Sequence, residues 1–234
     1  WIAARSRGLT VRCARPPVEP LGYWDRGPEP VHALMLAAGG LGQPNPSERI
    51  FLDIGAALDI PALAALQCGM RVVAVEEREQ EVGLLSEAVS DLTLPPGAKF
   101  ELAEGRGAFG SAALISAAID RVGGGDVNAL RIDARAYGGR AGPLSRTLRM
   151  LVKSGLIRAG SLRAAFIHLR DDIASLDVEE ARAWADALGL TEAFMIGSPC
   201  PVHKWCELDA DIPPVPGAEP QFVLFLPPNS TLST

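Results

Sequence analysis

Cysteine is scarce in this chain of 234 residues, which carries four: Cys13, Cys68, Cys200 and Cys206. They are too few and too widely spaced for the dense disulfide framework of a small secreted scaffold, so a reducing compartment is the default reading. Lysine is rarer still, at three residues against 19 arginines. The arginines run the whole length of the chain, which reads as a compositional bias rather than a site. Positive charge is in deficit, with a formal net charge of -6, and this argues against nucleic acid as the principal ligand. Long apolar runs are absent as well: Arg, Asp, Glu or Gly interrupts every one well short of the ~18 residues of a membrane span. These absences point to a soluble protein, cytoplasmic or organellar rather than secreted, with a small molecule or another protein as partner.

Several signatures are missing too. No G-x-G-x-x-G follows a strand, no lysine follows the Gly123–Gly125 cluster as a phosphate loop requires, and no G-x-S-x-G elbow occurs. The glycine cluster therefore reads as a flexible turn. The segment CPVHKWC, residues 200–206, brings Cys200, His203 and Cys206 close together, but no paired C-x-x-C accompanies it. It reads as a substrate-side loop, and no metal is expected. Asn229-Ser230-Thr231 fits a glycosylation acceptor, which has meaning only in a secreted protein.

What is present is an ordinary globular composition, 48% hydrophobic and 21% charged. The chain opens on Trp1 and reads as a piece of something longer. Residues 1–18 hold Arg5, Arg7, Arg12 and Arg15 and no acid, like the tail of an organelle transit peptide. Residues 16–30 are proline-rich and read as an extended approach. The expected division is an N-terminal extension over 1–30 and a single domain over 31–234.

Within that domain, strands and helices alternate. ERIFLDIGA, residues 48–56, has the short apolar core of a buried parallel strand, and Asp59 can cap a helix running to about Cys68 with Pro61 tolerated in its first turn. RVVAVEE (71–77) predicts a second strand, followed by an acidic helix from Glu79 to Leu92. AKFELAEG (98–105) predicts a third strand and residues 112–122 a helix. VNALRIDA (127–134) predicts a fourth strand and TLRMLVKSGL (147–156) a helical segment. LRAAFIHLR (162–170) predicts a fifth strand, DVEEARAWADALGL (177–190) a helix ending at Gly189, and QFVLFLPP (221–228) a last strand. The implied fold class is α/β: a Rossmann-like, doubly wound, mostly parallel sheet with helices on both faces.

Ligands of such sheets bind beyond the carboxyl ends of the strands, where the winding reverses. Four of the expected strands end on polar groups: Asp53, Glu76 with Glu77, Asp133 and His168. Gly55 lets bare backbone approach a ligand at the first strand–helix turn. Glu76 follows it by 21 residues, the spacing at which an acid receives ribose hydroxyls. These features read as an adenosine site. The turn itself, G-A-A-L-D, sets Asp59 where a dinucleotide would bring two phosphates. S-adenosylmethionine has no phosphate and carries a sulfonium, so the methyl donor suits this turn better than a nicotinamide dinucleotide does.

The same residues resemble the class I S-adenosylmethionine-dependent methyltransferases, and within them the FkbM type. IFLDIGAALDIPALAALQCGMRVVAVEEREQEVGLLSEAV is similar to that family's first block, D-x-G-A-N-x-G through a strand ending in F-E-P. ALRIDARAYGGRAGPLSRTLRML is similar to its L-K-I-D-V-E-G block, and FIHLRDD has the place of its C-terminal part. The resemblance spans roughly residues 47–226. It implies that Asp53, Ile54, Gly55 and Ala56, together with Glu76, Glu77 and Glu104, surround S-adenosylmethionine, with Glu76 on the ribose. It also implies methyl transfer to a hydroxyl of a small molecule or glycan, for which Asp133 or His168 is the candidate base. The departures are Ala57 and Asp59 for the family's asparagine and second glycine, Glu77 for its proline, and Arg131, Arg135 and Ala136 for the lysine, glutamate and glycine of the later block. They keep a second expectation open: a catalytically silent methyltransferase-like domain that serves as a binding or scaffold module.

Overall fold

The computed structural model describes residues 2–6, 9–13, 45–56, 60–133, 141–168, 188–190, 192–197, 202–204 and 220–226. Strands β1 (Ile2–Ser6) and β2 (Leu9–Cys13) pair antiparallel as a separate two-stranded sheet, with Ser6 opposite Leu9. These two strands lie within the arginine-rich start, the segment whose composition resembles the tail of a transit peptide.

The main sheet has eight strands: β3 (Ile50–Ile54), β4 (Arg71–Glu76), β5 (Lys99–Glu104), β6 (Val127–Asp133), β7 (Ala164–His168), β8 (Glu192–Gly197), β9 (Val202–Lys204) and β10 (Pro220–Leu226). Their spatial order is β5-β4-β3-β6-β7-β10-β8-β9. The first five in this order are parallel. β10 runs antiparallel to both β7 and β8, and β9 antiparallel to β8. The chain winds outward from β3 through β4 to β5, then returns to the other side of β3 as β6, so the winding reverses between β3 and β6.

Helices α1 (Ile60–Gln67), α2 (Glu79–Ser90), α3 (Ala112–Arg121) and α4 (Ala141–Lys153) connect the parallel strands. The apolar residues divide by strand parity into two cores. Phe51, Val72, Ala74, Ala129 and Phe166 pack against α1 and α2 through Leu63, Leu66, Leu85 and Ala88. On the opposite face, Leu52, Ile54, Val73, Val75 and Leu130 pack against Ile115, Ile119, Leu148 and Leu151 of α3 and α4. Two helix starts have a local cause. Ser111 caps α3 by accepting a hydrogen bond from the Leu114 amide at 3.3 Å, and Glu79 and Glu81 place negative charge in the first turn of α2.

Some elements differ from the sequence reading. α4 begins at Ala141 rather than Thr147, because Pro143 falls in its first turn, where its missing N–H costs nothing. β8 and β9 were not foreseen, and β9 lies inside the segment read as a loop. A register shift between β3 and β6 leaves Asn128 over, and its Oδ1 accepts the Ile50 amide at 3.0 Å in place of a ladder bond. The Gly123–Gly125 turn precedes β6 at the amino end of the sheet. All three glycines have positive φ, and Arg71 Nη1 donates to the Gly124 carbonyl at 2.7 Å. The expected helix over 177–190 falls outside the described residues, except for the turn at Leu188–Gly189.

Candidate functional site

The parallel register aligns the polar strand ends. Asp53 pairs in register with Ala74 and with Arg131, and Asp133 with His168. Asp53, Glu76, Arg131 and Asp133 share strand parity with the core residues under α1 and α2, so they belong to one face of the sheet at its carboxyl edge.

Arg131 is the centre of this group. Its side chain is fully buried, and its Nη1 lies 2.8 Å from Asp53 Oδ1 while Nη2 lies 3.2 Å from Asp133 Oδ2. A guanidinium is suited to this because its planar fork reaches two acceptors at once. The pattern is legible only in part beforehand: a charged residue inside the buried run VNALRID requires a partner, and Asp133 two positions on is one. Asp53, 78 residues away, is the other.

Glu76 ends β4 with no exposure. Its Oε1 accepts the amides of Glu77 at 2.9 Å and Arg78 at 3.0 Å and the Arg78 Nε at 3.2 Å, while Arg78 Nη2 stands 3.5 Å from Oε2. Arg78 also reaches Glu81 at 3.4 Å. Burial by itself would lower the Arg78 pKa. The hydrogen bond and charge of Glu76, with the charges of Glu81 and Asp133, outweigh it and hold the pKa above the ordinary arginine value. Arg78 thus feels Asp133 on β6 from the β4 end, across the end of β3. It is a site residue that the sequence reading missed, since arginine just before an acidic helix is common on surfaces.

The remaining candidates take different places. Ile54 and Ala56 are buried in the two cores, one on each face. Gly55 has φ of 75°, a conformation that favours glycine. The amides of Gly55 and Ala56 donate to the Val75 carbonyl at 2.9 and 3.3 Å, so the turn closes onto β4. Glu77 Oε1 accepts the Phe109 amide at 3.1 Å, at the short 3-10 turn Ala108–Gly110 that follows β5. Glu104 is exposed and stands opposite Glu76 in register. His168 ends β7 opposite Asp133 and opposite Phe222 of β10. Ala57, Asp59, Arg135, Ala136, Cys200 and Cys206 lie outside the described residues. Among the described residues no group of three His, Cys, Asp or Glu side chains could hold a metal ion, and no helix is long and apolar enough to cross a membrane.

No protein-family model and no curated protein sequence matches the chain. Solved structures do. The magnesium protoporphyrin IX methyltransferase of Synechocystis PCC 6803 with bound SAM is 12% identical, with a TM-score of 0.52 over 85% of this chain and 77% of its own. The same enzyme with bound SAH is 11% identical, with a TM-score of 0.53 over 85% and 81%. The human methyltransferase 10 domain containing protein is 12% identical, with a TM-score of 0.53 over 93% and 89%. What the chain shares with them is the fold, the Rossmann-like sheet of class I S-adenosylmethionine-dependent methyltransferases.

Proposed function

We propose that this chain is an S-adenosylmethionine-dependent methyltransferase of FkbM-like type that methylates a hydroxyl of a small molecule or glycan. The observation that carries the reading is the buried carboxylate of Glu76 at the end of β4, one strand away from the point where the winding reverses. The residues fit the methyl donor. Arg78 reaches both Glu76 oxygens, with Nε 3.2 Å from Oε1 and Nη2 3.5 Å from Oε2, and so sets the orientation of the carboxylate that ribose hydroxyls would meet. Glu76, Glu77, Glu104 and Asp133 make the carboxyl edge acidic, which suits a sulfonium and repels a pyrophosphate.

In this reading Glu76 holds the ribose, Gly55 and Ala56 form the floor beside Asp53 and Ile54, and Glu104 flanks the adenosine on the β5 side. Bound there, the cofactor supplies an electrophilic methyl group. The chain's part is to hold the acceptor oxygen in line with that group and to take its proton. Asp133 and His168, which stand opposite each other in register, remain the two candidates for that base, with Asp133 Oδ2 also bonded to Arg131.

A second reading has its own support. Asp53 and Asp133 are both engaged by a buried guanidinium and Glu76 by Arg78, which is the arrangement of a structural polar core. A catalytically silent binding or scaffold domain would keep it. Calorimetric titration with S-adenosylmethionine, S-adenosylhomocysteine and NAD separates the two. Micromolar binding of the first two that is lost in Glu76→Ala supports the methyltransferase, and a folded protein that binds none of them is the silent domain.

A further inference from the structure

Glu77 sits beside the proposed ribose acid, yet its amide and one of its carboxylate oxygens are turned to the protein. The amide donates to Glu76 Oε1 at 2.9 Å. Its own Oε1 accepts the Phe109 amide at 3.1 Å, across 32 residues of sequence. The carbonyl of the same Phe109 accepts from Thr147 Oγ1 at 3.2 Å, and Thr147 is buried on α4. One chain of hydrogen bonds thus runs from the Glu76 carboxylate through Glu77 and Phe109 to α4, the helix that follows Asp133.

The turn in the middle is built on a permissive backbone. Gly105 and Gly107 have φ of 113° and 84°, the Ala108 amide bonds back to Gly105, and Ser111 leads directly into α3. Phe109 lies in the second position of the short 3-10 turn: the amides on either side of it, of Ala108 and Gly110, bond back to Gly105 and Gly107, while its own is bonded to Glu77. A plain capping role for Glu77 would be complete at that point. The additional fact is that the residue supplying the cap also orients Glu76.

We propose that Glu77 is a positioning residue that couples the nucleoside-binding edge to α4 by holding Glu76 and the 105–110 turn in one geometry. This rests on the methyltransferase reading above. It departs from the resemblance, which would set Glu77 against the cofactor. The ligand to which the coupling matters is an adenosine bearing free ribose hydroxyls, because only that group is read by Glu76 while it lies next to the turn after β5.

The test is calorimetric titration of the full chain with S-adenosylhomocysteine, alongside thermal melting, for wild type, Glu77→Ala, Glu77→Gln and Thr147→Val. Glutamine keeps an acceptor oxygen for the Phe109 amide and alanine does not. The expected result is affinity about tenfold weaker in Glu77→Ala, as the loss of one oriented hydrogen bond allows, and recovery to within about threefold of wild type in Glu77→Gln. Thr147→Val should weaken binding although it lies on another element. Should Glu77→Ala not fold, Glu77→Gln and Thr147→Val carry the comparison. Lowered melting temperatures with unchanged affinity would reduce Glu77 to a cap and overturn the proposal while the methyltransferase reading stands. A folded wild type that does not bind would overturn both.

Discussion

Arg131 and Asp53 face each other directly across two parallel strands, with Nη1 2.8 Å from Oδ1 and both side chains at 0% exposure. Asp133 completes the group from two residues along the same strand. Removing a charge from water is costly, and here the cost is offset because one cation serves two carboxylates through its planar fork. The arrangement ties the ends of β3 and β6 together at the reversal of winding.

Taking out the cation should therefore be worse than taking out the whole group. Arg131→Met removes the cation that the two buried carboxylates share and should lower stability by roughly 3–5 kcal/mol in urea denaturation. The triple replacement Asp53→Asn, Arg131→Met, Asp133→Asn should recover most of that loss. If the single and triple variants were equally unstable, packing rather than charge would govern the site.

In the proposed site Arg78 would compete with the ribose for Glu76. Arg78→Ala should tighten S-adenosylhomocysteine binding by about threefold, a fraction of the tenfold that corresponds to one strong contact. Raising the salt concentration should bring the wild-type affinity toward that of the variant, because the pair is partly exposed and screened. Weaker binding in the variant would make Arg78 a ligand contact instead.

Asn128 replaces a ladder bond at the shift between β3 and β6, its Oδ1 accepting from the buried Ile50 amide. Asn128→Ala leaves that donor unsatisfied. A loss of about 1–3 kcal/mol is expected, and hydrogen exchange at Ile50 should accelerate relative to Leu52 on the same strand.

Burial pushes the Cys68 thiol pKa above its ordinary value. The folded state then holds its proton at pH values where the unfolded chain has released it, so the unfolded state binds fewer protons and stability falls as pH rises. The fall should begin near the ordinary thiol pKa of about 8.5 and end at the raised folded value. Comparing wild type with Cys68→Ser from about pH 7 to about pH 10 by thermal melting checks this, since the serine variant lacks that component.

Much of the fold is legible locally. IFLDI, RVVAVE and VNALRID declare themselves as buried parallel strands because apolar side chains on both faces need cover from helices, and their acidic ends mark the edge that ligands approach. KFELAE alternates, and β5 lies at one edge of the sheet, with Lys99 and Glu104 exposed. What escaped was non-local. β8 and β9 exist through pairing with β10 and with each other, and EAFMIG has no periodicity that would separate it from a loop. The insertion of β10 antiparallel between β7 and β8 leaves no trace in its own residues.

The site divides in the same way. Asp53, Glu76, Asp133 and His168 could be chosen from the sequence alone, because a polar residue at the end of an apolar strand has a position dictated by its neighbours in the chain. Their partners could not. Arg131 finds Asp53 across 78 residues, and Glu77 finds Phe109 across 32. Alternation along a strand determines which face a side chain takes, whereas the strand order and register of the folded sheet decide what it meets there. A buried charge must find its partner among whatever that order brings within reach.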